Sequence, residues 1–278
     1  MLTRISFILC LFIGAASVNA APMPKVSPSP TPSPTPVKSW SADWNSRYQF
    51  SLHGSDDANK RATVISTIAL NFLANDALRI QGVLGGIQAI RPSLDFRVIN
   101  PEFRAFFLLS EKKSKLKFYL GPTMVLPFGS DARDESLILG IGLGARAMLN
   151  LTKEDGSGFR TFYDLTINKN LHQFDTSVFS EINNSLALNH NFYVEYNFDS
   201  RWNLNGTLGF SSLWNYMGVL TNNYSVEQEL DFQATSQIML YLSHSRGGDF
   251  LSPNGQNYSF GLFDADSSRI SLGVVVSI

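Results

Sequence analysis

Serine and histidine cluster most densely in one segment of the sequence, Leu242-Ser243-His244-Ser245-Arg246. A serine hydrolase needs a serine hydroxyl that meets a histidine base, together with a third residue that orients the histidine. Here Ser243 and His244 are adjacent, so the His-x-Ser-Asn spacing of membrane phospholipases and deacylases is absent. We interpret His244 as a histidine near the end of a strand and keep lipid hydrolysis as an alternative.

The other histidines show no metal-ligand spacing. His53, His172 and His190 are scattered, and no short motif links them to His244. A protease would need acidic side chains beside a histidine, and acidic residues do occur between the predicted strands: Asp56, Asp57, Asp131, Asp134 and Asp175. Such residues are ordinary in solvated loops. The sequence therefore predicts no catalytic residue, no metal and no cofactor, with a protease kept as an alternative.

Charged residues inside the predicted strands occupy alternate positions, opposite the apolar residues. Such a set would line the inside of a closed sheet, where the charges either face a pore or pair and fill the interior. The candidates are Arg79, Lys115, Lys117, Arg146, Arg160, Asp164, Glu195, Arg201, Glu227, Glu229, Asp231 and Arg269. Their mixed sign predicts no ion preference. The formal net charge of −1 gives no basis for nucleic-acid binding, which requires a basic patch.

The segment 136–151 shows which element positions these residues. Every second residue from Leu137 is Leu, Ile or Ala, and the residues between them are Ile138, three glycines, Arg146, Met148 and Asn150. Period two with one apolar face indicates a strand. It is much longer than the ~5–6 residues usual in soluble sheets, and it suits a tilted strand with ~9–11 residues in a bilayer.

The same alternation recurs along the chain. It predicts strands at 46–53, 61–73, 78–90, 94–109, 115–128, 136–151, 159–168, 185–198, 202–214, 224–234, 237–245 and 269–278. Short and longer polar connections alternate between them, as in outer-membrane barrels. We predict an all-β fold: a single antiparallel up-and-down transmembrane β-barrel of about twelve strands over 39–278, with ten or fourteen as alternatives.

Two strands carry local irregularities, and one carries an aromatic signature. Asn100-Pro101 interrupts the alternation and predicts a bulge, where proline is tolerated. Strict alternation would point His190 at lipid, so a second bulge is expected there. Trp202 and Trp214 share an apolar face at a separation of roughly 30 Å along the membrane normal, close to the distance between two aromatic girdles.

The N-terminal residues predict export. Arg4, an apolar run from Ile5 to Ala16 and the small-residue site Val18-Asn19-Ala20 form a secretory signal over residues 1–20. The chain's one cysteine, Cys10, lies inside it. Residues 21–38 alternate Pro with Ser and Thr and form an extended linker, interpreted as a spacer with a partner-binding tether as the alternative.

On these residues the chain resembles bacterial outer-membrane β-barrel proteins as a class. The C-terminal segment Arg269–Ile278 has the alternating pattern of their last strand, which the barrel-assembly machinery reads, but it ends in Ile278 instead of an aromatic residue. The resemblance implies the outer membrane of a Gram-negative bacterium, contact with its lipids and that machinery as a partner. We expect a narrow pore for small polar solutes; a pore-less structural or adhesion barrel is the alternative.

The longest predicted loop, 246–268, is unusually apolar. It carries the mouth-loop candidates Phe250, Tyr258, Phe260 and Phe263. Long structureless loops are uncommon unless functional or disordered. We predict that it either folds over the outer mouth and narrows it, or remains an exposed surface loop.

Overall fold

The computed structural model describes residues 40–52, 61–75, 77–91, 94–111, 113–153, 156–250, 262–263 and 267–278. The predicted signal, 1–20, and linker, 21–38, lie outside the described residues, as does His53. The strands are β1 (Trp40–Ser51), β2 (Ala62–Asn75), β3 (Leu78–Arg91), β4 (Phe96–Leu108), β5 (Leu116–Val125), β6 (Leu137–Thr152), β7 (Gly158–His172), β8 (Asn184–Asn197), β9 (Trp202–Asn215), β10 (Leu220–Gln233), β11 (Ile238–Asp249) and β12 (Arg269–Ser277). One short helix, α1 (Ser130–Asp134), precedes β6.

Every strand pairs antiparallel with its sequence neighbours, and β1 closes the sheet by pairing with β12. The predicted twelve-stranded up-and-down barrel is therefore confirmed. The first strand begins at Trp40, six residues earlier than the alternation suggested.

The barrel wall has an apolar outer face and a polar inner face. In β6, Leu143 is 55% exposed on the outside, whereas Arg146 is 4% exposed on the inside. The buried side chains are mostly polar or charged, while the large apolar ones are mostly exposed. This distribution is the reverse of a water-soluble core and is the one expected of a strand wall that faces lipid.

Strand connections differ between the two rims. Both ends of the barrel chain, Trp40 and Ile278, lie at the rim of the short turns, and the four longest connections lie at the opposite rim. The Trp202 ring contacts the Phe232 ring at the short-turn rim in a tilted arrangement, with centroids 4.7 Å apart, and Trp40 and Trp44 are exposed there. In the described part of the chain, no helix has the length and apolar character needed to cross a membrane.

The bulge predicted at Asn100-Pro101 is confirmed. Val83 pairs with Glu102, whereas Gly85 pairs with Ile99, so β4 has one extra residue between these pairs. The proline lies where the ladder is already interrupted, which avoids the loss of a regular hydrogen bond.

The bulge expected at His190 is wrong. Its register is continuous with both neighbours, opposite Leu165 in β7 and Phe210 in β9, so the imidazole lies on the outer face. The Tyr163 hydroxyl lies 2.5 Å from His190 Nδ1. This hydrogen bond partly offsets the cost of a polar ring on an apolar wall.

Candidate functional site

The barrel lumen collects most of the charged residues that the sequence analysis singled out. The strand registers place these on the inner face: Arg79, Lys117, Arg146, Arg160, Asp164, Glu195, Glu227, Glu229, Asp231 and Arg269. Lys115 and Arg201 instead are exposed at the short-turn rim, beside β5 and β9. The lumen divides into two parts with different chemistry.

The first part is the arginine wall, the inner face of β4–β8 around Arg146. The Arg146 guanidinium donates two hydrogen bonds to the Asp164 carboxylate on the neighbouring strand, both at 2.5 Å. Its carbon Cζ also lies 4.9 Å from the Phe106 ring centroid and 5.2 Å from that of Phe162. The inward Gly142 of β6 leaves room for smaller neighbours, because a Cβ there would lie 2.1 Å from Asn168 Oδ1 and 2.8 Å from Thr123 Oγ1. Arg146 is thus held by charge pairing and by two aromatic faces.

Two further ion pairs extend the arginine wall. Arg160 bonds both carboxylate oxygens of Glu195, at 2.8 and 2.7 Å. Glu102 and Arg104 pair within β4 at 2.5 Å, and Arg104 also interacts electrostatically with Asp164. The sequence analysis missed Glu102 and Arg104 because the bulge blurs the alternation of this strand, although the outward Phe103 between them was a usable signal.

The second part is the acidic wall, the inner face of β9–β12. Three successive inward positions of β10 carry carboxylates, Glu227, Glu229 and Asp231. The amide of Asn205 donates to Glu229 at 3.1 Å and to Asp231 at 2.8 Å. The inward residues of the adjoining β11 and β12 include the small side chains Ser243, Ser245, Ser271 and Gly273.

The Arg47 side chain extends from β1 across these small residues toward β10. Its guanidinium reaches Glu227 at 3.1 Å, and Ser243 donates to the same carboxylate oxygen at 3.0 Å. Both partners of this pair are more exposed than Arg146 and Asp164, at 16% and 19% of their side-chain area. The sequence analysis did not select Arg47, although it lies inside the predicted strand 46–53 and alternation with Tyr48 and Phe50 places it inward.

At the long-loop rim, side chains from neighbouring connections contact one another at one edge of the lumen. His172 is fully buried there, with Nδ1 3.3 Å from the Tyr216 hydroxyl and Nε2 3.8 Å from Glu135. Asn183 donates to the carbonyl oxygens of Glu135 and Phe174, which joins the β5–β6 connection to the β7–β8 connection. These contacts bring three connections together at one side of the mouth.

Helix α1 contributes the acidic rim residue Asp131. Its carboxylate lies 3.4 Å from the Arg97 guanidinium. Burial raises the pKa of Asp131, and the Arg97 charge opposes that rise. At α1 the rim therefore holds a weak, partly solvated ion pair.

The described ends of the longest loop lie outside the lumen. Phe250 packs on the outer-wall residues Tyr224 and Val226, and the Phe263 ring stacks on His244 with centroids 5.6 Å apart. Tyr258 and Phe260 lie outside the described residues. At these two described positions, Phe250 and Phe263, the loop packs on the outer wall.

The Ser243–His244 cluster cannot form a catalytic pair. Ser243 faces the lumen and bonds Glu227, whereas His244 faces outward opposite Gln228. Adjacent residues of a strand point to opposite faces, so the hydroxyl and the imidazole are separated by the wall. Among the described residues, no three His, Cys, Asp or Glu side chains are grouped so that they could hold a metal ion.

Solved structures show the same architecture. The KdgM porin matches with a TM-score of 0.50 and 10% identity, over 85% of this chain and 99% of that one. An outer-membrane channel from Pseudomonas putida F1 matches with a TM-score of 0.56 and 13% identity, over 86% and 95%. The NanC porin matches with a TM-score of 0.52 and 10% identity, over 84% and 98%. No protein-family profile and no curated protein matches the sequence.

The barrel therefore has the fold of bacterial outer-membrane channels. At these identities the likeness concerns the fold, and the solute and its route depend on the residues of this lumen.

Proposed function

We propose that this chain is a narrow outer-membrane pore for small polar solutes in a Gram-negative bacterium. One observation carries the proposal: a closed barrel encloses a lumen lined by charged and amide side chains, while the outer wall is apolar. Such a lumen gives polar solutes hydrogen-bonding partners along a path through hydrocarbon. The exported chain would contact outer-membrane lipids, and its last strand, Arg269–Ile278, would be read by the barrel-assembly machinery.

The two lumen walls also support a specific arrangement for passage. The arginine wall and the acidic wall lie on different sides of the barrel, so a solute between them experiences a field across the pore axis. Solutes that carry both a positive and a negative group fit this field in a single orientation. We propose that such small dipolar solutes pass better than singly charged ions of equal size.

Planar-bilayer conductance of the refolded barrel tests this function. Steady channels are expected, with solutes of mixed charge reducing the ion current when added at millimolar concentration. Boiled and unboiled samples in a detergent gel verify that the barrel is folded. A folded barrel without channel activity would contradict the proposal.

The alternative of a pore-less structural barrel is favoured by one observation, the near-complete burial of Arg146 and Asp164. Charged side chains that exclude water from the lumen would act as filling. Under this alternative the folded barrel shows no conductance in planar bilayers. Replacing both residues with alanine then opens a conductance that the natural chain lacks. Channels of the natural chain would exclude it.

A further inference from the structure

The outer wall of β7–β10 carries polar groups well inside the apolar zone. Gln228 is exposed on the outer face, opposite Gly206 in β9 and His244 in β11. It lies four residues from Phe232, whose ring contacts Trp202 in the short-turn girdle. Four residues correspond to roughly 10 Å along the membrane normal. Within the described part of the chain, no hydrogen bond satisfies the Gln228 amide.

The Tyr163–His190 pair on the same wall keeps an unused donor. If the Tyr163 hydroxyl donates to His190 Nδ1, the neutral ring carries its proton on Nε2. If Nδ1 donates instead, the hydroxyl proton is left over. In both cases one donor has no partner among the described residues, and hydrocarbon cannot supply one.

Beside Gln228 the wall has a shallow hollow. A Cβ atom added to Gly206 would meet no other atom within 4 Å, so the surface there is open. The outward neighbours Val194 and Gln228 flank this position in the register. A side chain from another wall can enter the hollow without displacing a neighbour.

We propose that this face of β8–β10 binds a second copy of the chain, with Gln228 at the two-fold axis. Copies inserted in one orientation are related by an axis along the membrane normal, so a residue near that axis meets itself at the same depth. A carboxamide carries both a donor and an acceptor, so two Gln228 amides satisfy each other with two hydrogen bonds. Lipid tails cannot do so, and a singly charged partner would leave one of the two groups unmet.

Cysteine cross-linking in outer membranes tests the dimer. Gln228→Cys, in a Cys10→Ser background, should give an oxidised band at twice the monomer mass. Leu84→Cys is the matched control, because Leu84 is exposed on the outer face of β3 at a similar depth. It lies six residues from the short-turn end of β3, and Gln228 lies five residues from the short-turn end of β10. Cross-linking at 228 and not at 84 supports the proposal. Equal cross-linking at both positions indicates random collision, and none at 228 indicates lipid or another protein there; each result overturns it.

A second measurement does not depend on disulfide geometry. Gln228→Leu removes the amide pair and should weaken dimer association by roughly tenfold in detergent sedimentation. Gly206→Phe fills the hollow and should have a similar effect, while heat-dependent gel migration confirms that both variants fold. An unchanged monomer–dimer balance in both would contradict the interface. The conductance of each barrel should stay the same in both variants. Sedimentation therefore tests the dimer, and conductance tests the pore independently.

Discussion

The arginine wall and the acidic wall both have polar residues at every second position, but they differ in how deeply their ion pairs are buried. In the arginine wall, Arg146 and Asp164 are 4% and 2% exposed and close against aromatic rings. In the acidic wall, Glu227 and Glu229 lie opposite Ser245 and Ser243, and the pair that Glu227 forms with Arg47 remains partly exposed. Asp231 at the end of this row is buried.

The difference separates two tasks of the lumen. A buried ion pair contributes stability mainly by avoiding an isolated buried charge, so removal of one partner is costly. Partly exposed charges contribute little to folding and act on ions or solutes that approach them. Changes in the arginine wall should therefore alter folding, and changes in the acidic wall should alter selectivity.

Removal of the Arg146 charge should have the largest effect. Arg146→Met leaves Asp164 charged and buried, which should destabilise the barrel by about 3–5 kcal/mol. The double change Arg146→Met with Asp164→Leu should recover most of this loss, because no charge is left unpaired. Urea unfolding in detergent, followed by gel migration, measures both. Equal stability of the single variant and the natural barrel would show that the pair is solvated.

Glycines in the two walls should differ in their tolerance of a methyl group. A Cβ on Gly142 would lie 2.0 Å from the backbone oxygen of Ile167, whereas one on Gly273 would approach only the outer ring atoms of Tyr241. Gly142→Ala should therefore cost on the order of 1–3 kcal/mol. Gly273→Ala should cost less but push Tyr241 from its bond with Asn45 and lower conductance. The reverse order of unfolding midpoints would contradict this packing.

Two carboxylate variants compare selectivity directly. Glu229→Gln removes one lumen charge and should shift permeability toward anions by about fivefold, the effect of a unit charge at close range in water. Glu195→Gln removes the same charge but also leaves Arg160 without its carboxylate, so it should lower stability as well. Reversal potentials under a salt gradient, paired with urea unfolding, separate the two. If both variants shifted selectivity and neither lost stability, the two walls would not differ in their roles.

The sequence predicted the strands and most lumen residues, because alternation alone decides which face a side chain occupies. Arg146, Asp164 and Glu195 were assigned inward on that basis. Alternation carries no information on contacts that depend on closure of the barrel, so the reach of Arg47 to Glu227 was not predictable. Helix α1 and the loop ends at Phe250 and Phe263 follow no strand period, and their positions depend on what they pack against.

The smallest effect is expected at the turn that joins the two walls, between β8 and β9. The Asp199 carboxylate accepts from the backbone N–H groups of Arg201 and Trp202 at 2.7 and 2.8 Å, and these bonds lower its pKa. A lowered pKa means that its stabilisation is present above the ordinary aspartate pKa and is lost as the pH falls through the folded value. Asp199→Ala should thus reduce stability slightly at neutral pH, and this loss should disappear once the pH has fallen below the folded-state pKa of Asp199. Urea midpoints of both chains across this range should converge on acidification; a constant difference would mean that the turn is held by backbone geometry and not by the carboxylate.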